Sequence, residues 1–299
     1  MADRVPARST PWPRVSVIIP TYREPDNVSA CVEAVLRQDY PADKVQVVVV
    51  DNAPAPGDVL HLASERVTVL HEPRPGSYAA RNTGVAASNG EVIAFTDSDC
   101  VPHPEWLHQS VLALEGGAHR VAGHIQLFTR HTRPNVAEDL QKSFAFDVVH
   151  DLETRNQVAA ANFVVWREAF DRVGPFRPDM LSGGDVEWGR RAVARTLVTH
   201  YVASAIVYHP ARFTLGQLLR HRKRIAGATR SHSGVAEKAA WATHSLVRRR
   251  GVLQRIFGRT DISLWRKTQV FVLAAFLHLY QTWESVLLIV FPGRGAERR

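Results

Sequence analysis

Asp97-Ser98-Asp99 directly follows the apolar run Val92-Ile93-Ala94-Phe95-Thr96. Two carboxylates at i and i+2 just past a strand end can both turn toward one ligand. There they offer hard oxygen donors of the kind that Mg2+ or Mn2+ takes, with a diphosphate completing the shell. As a bare pattern Asp-x-Asp arises by chance in many loops, so its weight comes from its position. Asp185 is a second acid in a suggestive place. It follows Gly183-Gly184, which let a backbone approach a ligand closely, and it opens a predicted helix over 185–194. Either it acts on that ligand or it merely caps its helix.

The elements that would hold these acids are legible from periodicity. Val15 to Ile19 is a continuous β-branched apolar run closed by Pro20, which reads as a buried parallel strand. Val28, Cys31, Val32, Val35 and Leu36 then recur at helical spacing, with Asp26 or Asn27 as the expected cap. Val45 to Val50 is a second buried strand ending at Asp51-Asn52. A short helix over 58–64, a strand over 67–70, a helix over 78–87 and a strand over 92–96 complete the alternation. Such alternation builds a parallel sheet covered by helices on both faces, and ligands gather at the carboxyl ends of its strands. Here those ends carry Pro20-Thr21-Tyr22, Asp51-Asn52 and Asp97-Ser98-Asp99, which argues for a nucleotide site.

From about Trp106 the pattern mixes. Strands are expected over 121–128 and 162–166, a helix over 136–149, and a mostly helical last third. The resulting division is a loose tail at 1–13, unlike a signal peptide in having charges at once, then a catalytic α/β region over 14–212. Its nucleotide-binding half covers about 14–100 and its acceptor half about 101–212. A helical, basic and amphipathic region covers 213–299.

Composition narrows the function further. The two cysteines, Cys31 and Cys100, are too few for a disulfide framework and suit a reducing, cytoplasmic setting. The net charge of +8 is concentrated: between His209 and Arg259 stand twelve Lys or Arg residues and the single acid Glu237. That segment is either a face for phosphates or anionic lipid, or a solvated helical surface. Thr268 to Trp283 carries no formal charge, but His278, Gln281 and Glu284 interrupt the apolar stretch that runs on toward Pro292. An amphipathic helix at the inner face of the plasma membrane fits it better than a span. A helix packed on the rest of the chain, or on a second subunit in an oligomer, is the alternative.

Four blocks, VSVIIPTYRE, VVVVDN, GSYAARNTGVAASNGEVIAFTDSD and VGPFRP with the later SGGDVEWGRR, occur in order over about residues 15–210. Together they resemble the family 2 glycosyltransferases of bacterial type. The resemblance implies a GT-A fold, the Rossmann-like α/β architecture of nucleotide-diphospho-sugar transferases, with a mixed sheet flanked by helices and a helical C-terminal extension. It implies inverting transfer from a UDP, GDP or dTDP sugar, with Mn2+ or Mg2+, to a saccharide or lipid-linked acceptor of the cell envelope. Pro20, Thr21, Tyr22 and Glu24 would hold the nucleoside, Asp51 the base, Arg81 the diphosphate or base, and Asp97 the ribose side. Asp99 would touch the metal, with His209 as a further ligand, and Asp185 would be the base. Asn162 and Trp188 would line the acceptor pocket, and Arg220, Arg222, Lys223 and Arg224 would clamp phosphate. The chain departs from the family at Gly184, where a Glu usually precedes the base, so acceptor placement there needs another explanation. The Gln-x-x-Arg-Trp motif of processive synthases is absent, which favours one transfer per encounter.

Two other classes compete. A sugar-phosphate nucleotidyltransferase also uses a strand-end Asp, but it begins with a glycine-rich loop and Lys where Pro20-Thr21-Tyr22-Arg23 stands here. A basic nucleic-acid-binding protein would account for the charged segment. The acidic strand ends oppose it, because they repel phosphate unless a metal intervenes.

Overall fold

The computed structural model describes residues 12–57, 59–129, 132–144, 146, 148–155, 157–227 and 249–291. The expected tail lies mostly outside them, but its last two residues are fastened rather than loose. Trp12 meets the Tyr40 ring edge-on at 5.0 Å between centroids, and the Tyr40 hydroxyl donates to Pro13 O at 2.6 Å.

The β-branched runs form buried strands because both of their faces are covered. β1 (Val15–Thr21), β2 (Val45–Asp51), β3 (Val67–His71) and β4 (Val92–Thr96) are parallel neighbours in the order β3-β2-β1-β4. β5 (Val101–Pro102), β6 (Arg120–Phe128), β7 (Asn162–Trp166) and β8 (Thr199–Pro210) extend this into one mixed sheet, β3-β2-β1-β4-β7-β6-β8-β5. β7 runs antiparallel between β4 and β6, and β5 pairs antiparallel with β8. Register then fixes which residues share the ligand edge. Thr21 pairs with Asp51 and Asp51 with His71, while Ile18 pairs with Phe95. Two residues further along, Asp97 falls beside Pro20.

Helix α1 (Pro25–Leu36) begins before its expected cap. Pro25 takes the first helical position, which needs no N–H partner, and Asp26 lies in the first turn beside the positive end of the helix dipole. α2 (Ser77–Ala86) lies directly on β1 and β2: a Cβ on Gly84 would come within 2.6 Å of Ile18 Cγ2 and 3.1 Å of Val50 Cγ2. α3 is Trp106–Glu115. The helix expected over 136–149 is instead two, α4 (Val136–Phe144) and α5 (Val148–Arg155). Phe146 between them has φ +53°, a left-handed conformation that cannot continue a right-handed helix. The short helix expected over 58–64 is a 3₁₀ turn, Leu60–Leu62, and Asp58 lies outside the described residues. α6 (Arg167–Val173), α7 (Gly184–Ala194), α8 (Leu215–Gly227), α9 (Arg249–Phe257) and α10 (Leu264–Val290) follow.

The chain divides into two compact units. The first comprises Met1–Gln126, Phe146–Asp179 and Gly184–His209, and it contains the sheet's parallel half. Its interior is aromatic: Phe170 stacks on Trp188 at 5.5 Å, and Phe95, Phe163 and Phe176 close around them.

The second unit comprises Leu127–Ala145, Met180–Gly183 and Pro210–Arg299. Its core joins Leu140, Leu218, Ile256, Val270 and Leu277 from α4, α8, α9 and α10. Buried Asp139 is neutralised by Arg259 at 3.2 Å and by Arg266 at 3.5 Å. By length and composition α10 could cross a bilayer. Gln281 and Glu284, which interrupt its apolar run, are buried, and Gln281 accepts from Arg222 at 3.2 Å. The outward side of α10 is therefore apolar. Trp265 is 72% exposed and Trp283 60%, with Val272, Phe276, Leu279 and Val290 on the same stripe. Arg230, Lys238 and Arg248 of the basic segment lie outside the described residues.

Candidate active site

Most of the residues expected at the ligand edge of the sheet are there. Pro20 and Thr21 are buried at the end of β1, and Thr21 Oγ1 is buried without a hydrogen-bond partner. Arg23, next in the loop, holds φ +54°, local strain of the kind that gathers where a ligand is gripped. Its guanidinium lies 5.5 Å from the Tyr22 ring centroid. Glu24 Oε2 accepts from Ser98 Oγ at 3.2 Å, so the loop after β1 is tied to the loop after β4. Asp51 Oδ1 accepts from Ala53 N–H at 2.9 Å, which turns the chain sharply at the end of β2.

Helix α2 carries the charge that faces these acids. Buried Arg81 pairs with Asp97 Oδ1, and its Nε is buried without a partner. The Arg81 guanidinium also sits 5.4 Å from the Tyr78 ring centroid, one turn back. Tyr78 in turn donates its hydroxyl to Asp185 Oδ1 at 3.0 Å. Asp97 and Asp185 are thus joined through two adjacent side chains on one face of a single helix. Asp185 is held by more than its own helix end. Oδ1 accepts from Val186 N–H at 3.0 Å, as a helix-start carboxylate does, while Oδ2 accepts from Ala160 N–H at 3.3 Å. Asn82 locks the same face: it donates to Phe176 O at 2.8 Å and accepts from Phe176 N–H at 3.0 Å.

Asp99 and His209 come together because β5 pairs with β8. Val101 is opposite Tyr208, so one step further along His209 lies beside Cys100. His209 Nε2 is 3.8 Å from Asp99 Oδ1, and the candidate ligand atoms of Asp99, Cys100 and His209 lie within 4.8 Å of one another. Burial, reinforced by the Asp99 and Asp97 charges, pushes the Cys100 thiol well above its ordinary range. Its sulfur is a soft donor, poorly matched to a hard divalent cation. The harder donors, the Asp99 carboxylate and the His209 imidazole, are of the kind that could hold a divalent ion.

Two expected acceptor residues belong to the interior instead. Asn162 is 1% exposed and its amide bonds inside the protein: Oδ1 accepts from Trp106 Nε1–H at 2.8 Å, and Nδ2 donates to His124 O and Ala205 O at 2.9 Å. Trp188 is also 1% exposed, stacked in the aromatic core with Nε1–H donating to Gly174 O at 2.8 Å. Both side chains are buried and bonded within the protein, and neither offers open surface to an acceptor.

Sequence reasoning gave no role to Tyr78, Asn82 or Glu72. Glu72, one residue past β3, accepts from Arg74 Nη2 at 2.8 Å and from the Thr83 hydroxyl, which joins the β3 end to α2. These bonds, Arg74 above all, hold its carboxyl down to about 2. The available signal for Tyr78 was its position three residues before Arg81, which puts both on one helix face.

A mixed sheet with acids at the carboxyl ends of its parallel strands, faced by an arginine of α2, defines a class of α/β protein. The chain belongs to glycosyl transferase family 2, whose family model matches residues 16–174. It is 36% identical over 220 residues to glycosyltransferase AglE of Haloferax volcanii, covering 71% of this chain and 72% of that protein. It is 29% identical over 203 residues to the pre-mycofactocin glycosyltransferase of Mycobacterium tuberculosis, covering 62% of this chain and 41% of that one. In structure it resembles the mannosyltransferase PcManGT from Pyrobaculum calidifontis, solved with GDP-Man and Mn2+. The TM-score is 0.59 at 17% identity, over 98% of this chain and 91% of that one. It also resembles residues 1–349 of S. aureus TarS, with a TM-score of 0.54 at 14% identity, over 91% and 89%. The fold is GT-A, and the protein is a glycosyltransferase.

Proposed function

We propose that this glycosyltransferase moves a sugar from a nucleotide-diphosphate sugar to an acceptor hydroxyl in one displacement, inverting the anomeric carbon. The observation that carries the reading is the α2 relay, in which Arg81 holds Asp97 and Tyr78 holds Asp185. It ties the donor-side Asp97 to Asp185, an acid placed to deprotonate an acceptor. Pro20, Thr21, Tyr22, Glu24 and Asp51 cradle the nucleoside, with the unpartnered Thr21 Oγ1 as a free polar contact. Arg81 offers its unpartnered Nε to the diphosphate side, and Asp97 takes the ribose side.

Asp99 and His209 would hold a divalent ion, Mn2+ or Mg2+, and PcManGT was solved with Mn2+. When bound, that ion neutralises charge growing on the departing diphosphate. Asp185 takes the acceptor's proton. The freed oxygen pair forms the new bond to the anomeric carbon, and the old anomeric C–O pair leaves with the diphosphate. A positioned base of this kind contributes about 10² to 10⁴ in rate.

The acceptor side is lipid-linked or cell-envelope material, and the outward apolar stripe of α10 supports docking of the enzyme on an anionic membrane surface. The charged side chains of α10 are Arg266 and Lys267 in its first turn, partly exposed, and the buried Glu284. The stripe beyond the first turn is therefore free of charge, and basic residues crowd the segments before it. Coiled-coil partners instead flank their seam with charges.

The test is nucleotide release from UDP-, GDP- and dTDP-sugars with Mn2+, first ranked by the rise in melting temperature that binding to the native state produces. EDTA and Asp99→Ala should each remove activity. Full turnover in EDTA would defeat the metal assignment. Diphosphate release from a sugar 1-phosphate plus a nucleoside triphosphate would support the nucleotidyltransferase reading instead.

A further inference from the structure

Position 184 has no room for a side chain. A Cβ added to Gly184 would lie 2.8 Å from both Cδ2 and Cε2 of Tyr78, closer than real Cβ contacts come. The obstacle is an aromatic ring held in place, not a flexible side-chain end. Tyr78 is 6% exposed, its ring packs 5.5 Å from Phe176, and α2 itself rests on β1 through Gly84. The ring that closes position 184 is also the ring whose hydroxyl reaches Asp185.

The bonds at Asp185 divide unevenly between its two oxygens. Oδ1 accepts from the Tyr78 hydroxyl and from Val186 N–H, both at 3.0 Å. Oδ2 accepts from Ala160 N–H at 3.3 Å. A carboxylate oxygen has two lone-pair sites. Oδ1 is thereby filled, and Oδ2 keeps a site open. A phenol donating to a carboxylate makes a charge-assisted bond, stronger and more directional than a neutral one.

We propose that Tyr78 is the positioning residue of the Asp185 base: by occupying Oδ1 it turns Oδ2 toward the acceptor hydroxyl, and Gly184 is glycine because the Tyr78 ring needs its space. The inference rests on the reading of Asp185 as base. The proton leaving the acceptor lands on Oδ2, while Tyr78 keeps its own proton throughout. Tyr78 touches no reacting atom and acts only through the orientation of Asp185, where an error of about 1 Å costs about 10² in rate.

The experiment uses the full chain with Mn2+ and whichever of UDP-glucose, GDP-mannose and dTDP-glucose releases nucleotide fastest. Tyr78→Phe keeps the ring, and with it the packing over Gly184 and the contact with Arg81, and removes only the donated bond. It should lower kcat about 10-fold, the rate equivalent of one lost hydrogen bond to a charged group, and leave the donor KM within about 2-fold. In an Asp185→Asn background the same change should have no further effect, because both act on one proton transfer. Unchanged kcat in Tyr78→Phe, a loss carried by KM, or losses that multiply in the double variant would each overturn the inference. Wild-type turnover in Asp185→Asn alone would instead remove the base assignment beneath it. A loss in Asp185→Asn with none in Tyr78→Phe would sink only the role of Tyr78.

Discussion

In the parallel half of the sheet, helices turn their apolar side to the protein and their polar side out. Val28, Cys31, Val32 and Val35 of α1 are buried, while Asp26, Ala30, Glu33 and Arg37 around them are exposed or partly exposed. α10 departs from this order by burying polar residues beside Val270 and Leu277 and leaving large apolar ones outside. Gln281, Glu284 and Ser285 are buried, while Leu279, Trp283 and Val286 face outward. Scattered exposed apolar residues elsewhere, such as Leu60 and Leu112, are ordinary, but a continuous stripe along one helix is not. The contrast is between two kinds of outer face. One region turns polar side chains outward and gathers its acids at its strand ends. The other turns an apolar stripe outward while its core is also apolar, so the stripe is surplus to what its own packing needs.

The comparison breaks if one change disturbs both regions. The largest expected effect is on chemistry: Asp99→Ala abolishes Mn2+-dependent nucleotide release, and Asp185→Asn lowers it by at least about 10². Both variants should bind phosphatidylglycerol-containing vesicles as the parent does, measured by co-sedimentation. Next, the paired change Leu279→Glu and Trp283→Glu should abolish vesicle binding and leave nucleotide release from a soluble donor intact. A dimer-to-monomer shift in light scattering with vesicle binding unchanged would show that the stripe covers a second copy instead.

A smaller effect separates the two sides of α10. Leu277→Ala empties a fully buried site and should cost about 2–5 kcal/mol in urea unfolding, whereas Leu279→Ala, at 66% exposure, should stay within about 0.5 kcal/mol. Equal costs would mean that the stripe is already covered.

The smallest effect concerns acid. Glu72 is held at about 2 against an ordinary 4.5, so its contribution to stability is complete above about pH 4.5 and is lost as pH falls toward 2. Glu72→Gln should flatten the pH dependence of melting across that window. An unchanged slope would remove Glu72 from the account of the β3–α2 junction.

The sequence made the sheet legible wherever burial forces a pattern. Val92–Thr96 and Asn162–Trp166 form strands at the expected residues because both faces of each are covered. The same uniform burial hid the role of Asn162. In a strand buried on both sides no periodicity tells which side chain meets a cavity, and this one bonds to Trp106, His124 and Ala205 inside the protein. The break near Phe146 was illegible because it rests on one residue's left-handed backbone, and phenylalanine carries no signature for that conformation. The direction of α10 was also out of reach. Its composition shows that two faces differ, but only packing says which face the protein claims.

The closed space at Gly184 constrains how this enzyme could change over time. Any side chain there must wait until the residue at 78 has become smaller, whereas shrinking position 78 first leaves a gap beside the base but no collision. Of the two orders in which the pair could be exchanged, only one avoids a clash, so the sites should drift together and in a fixed sequence.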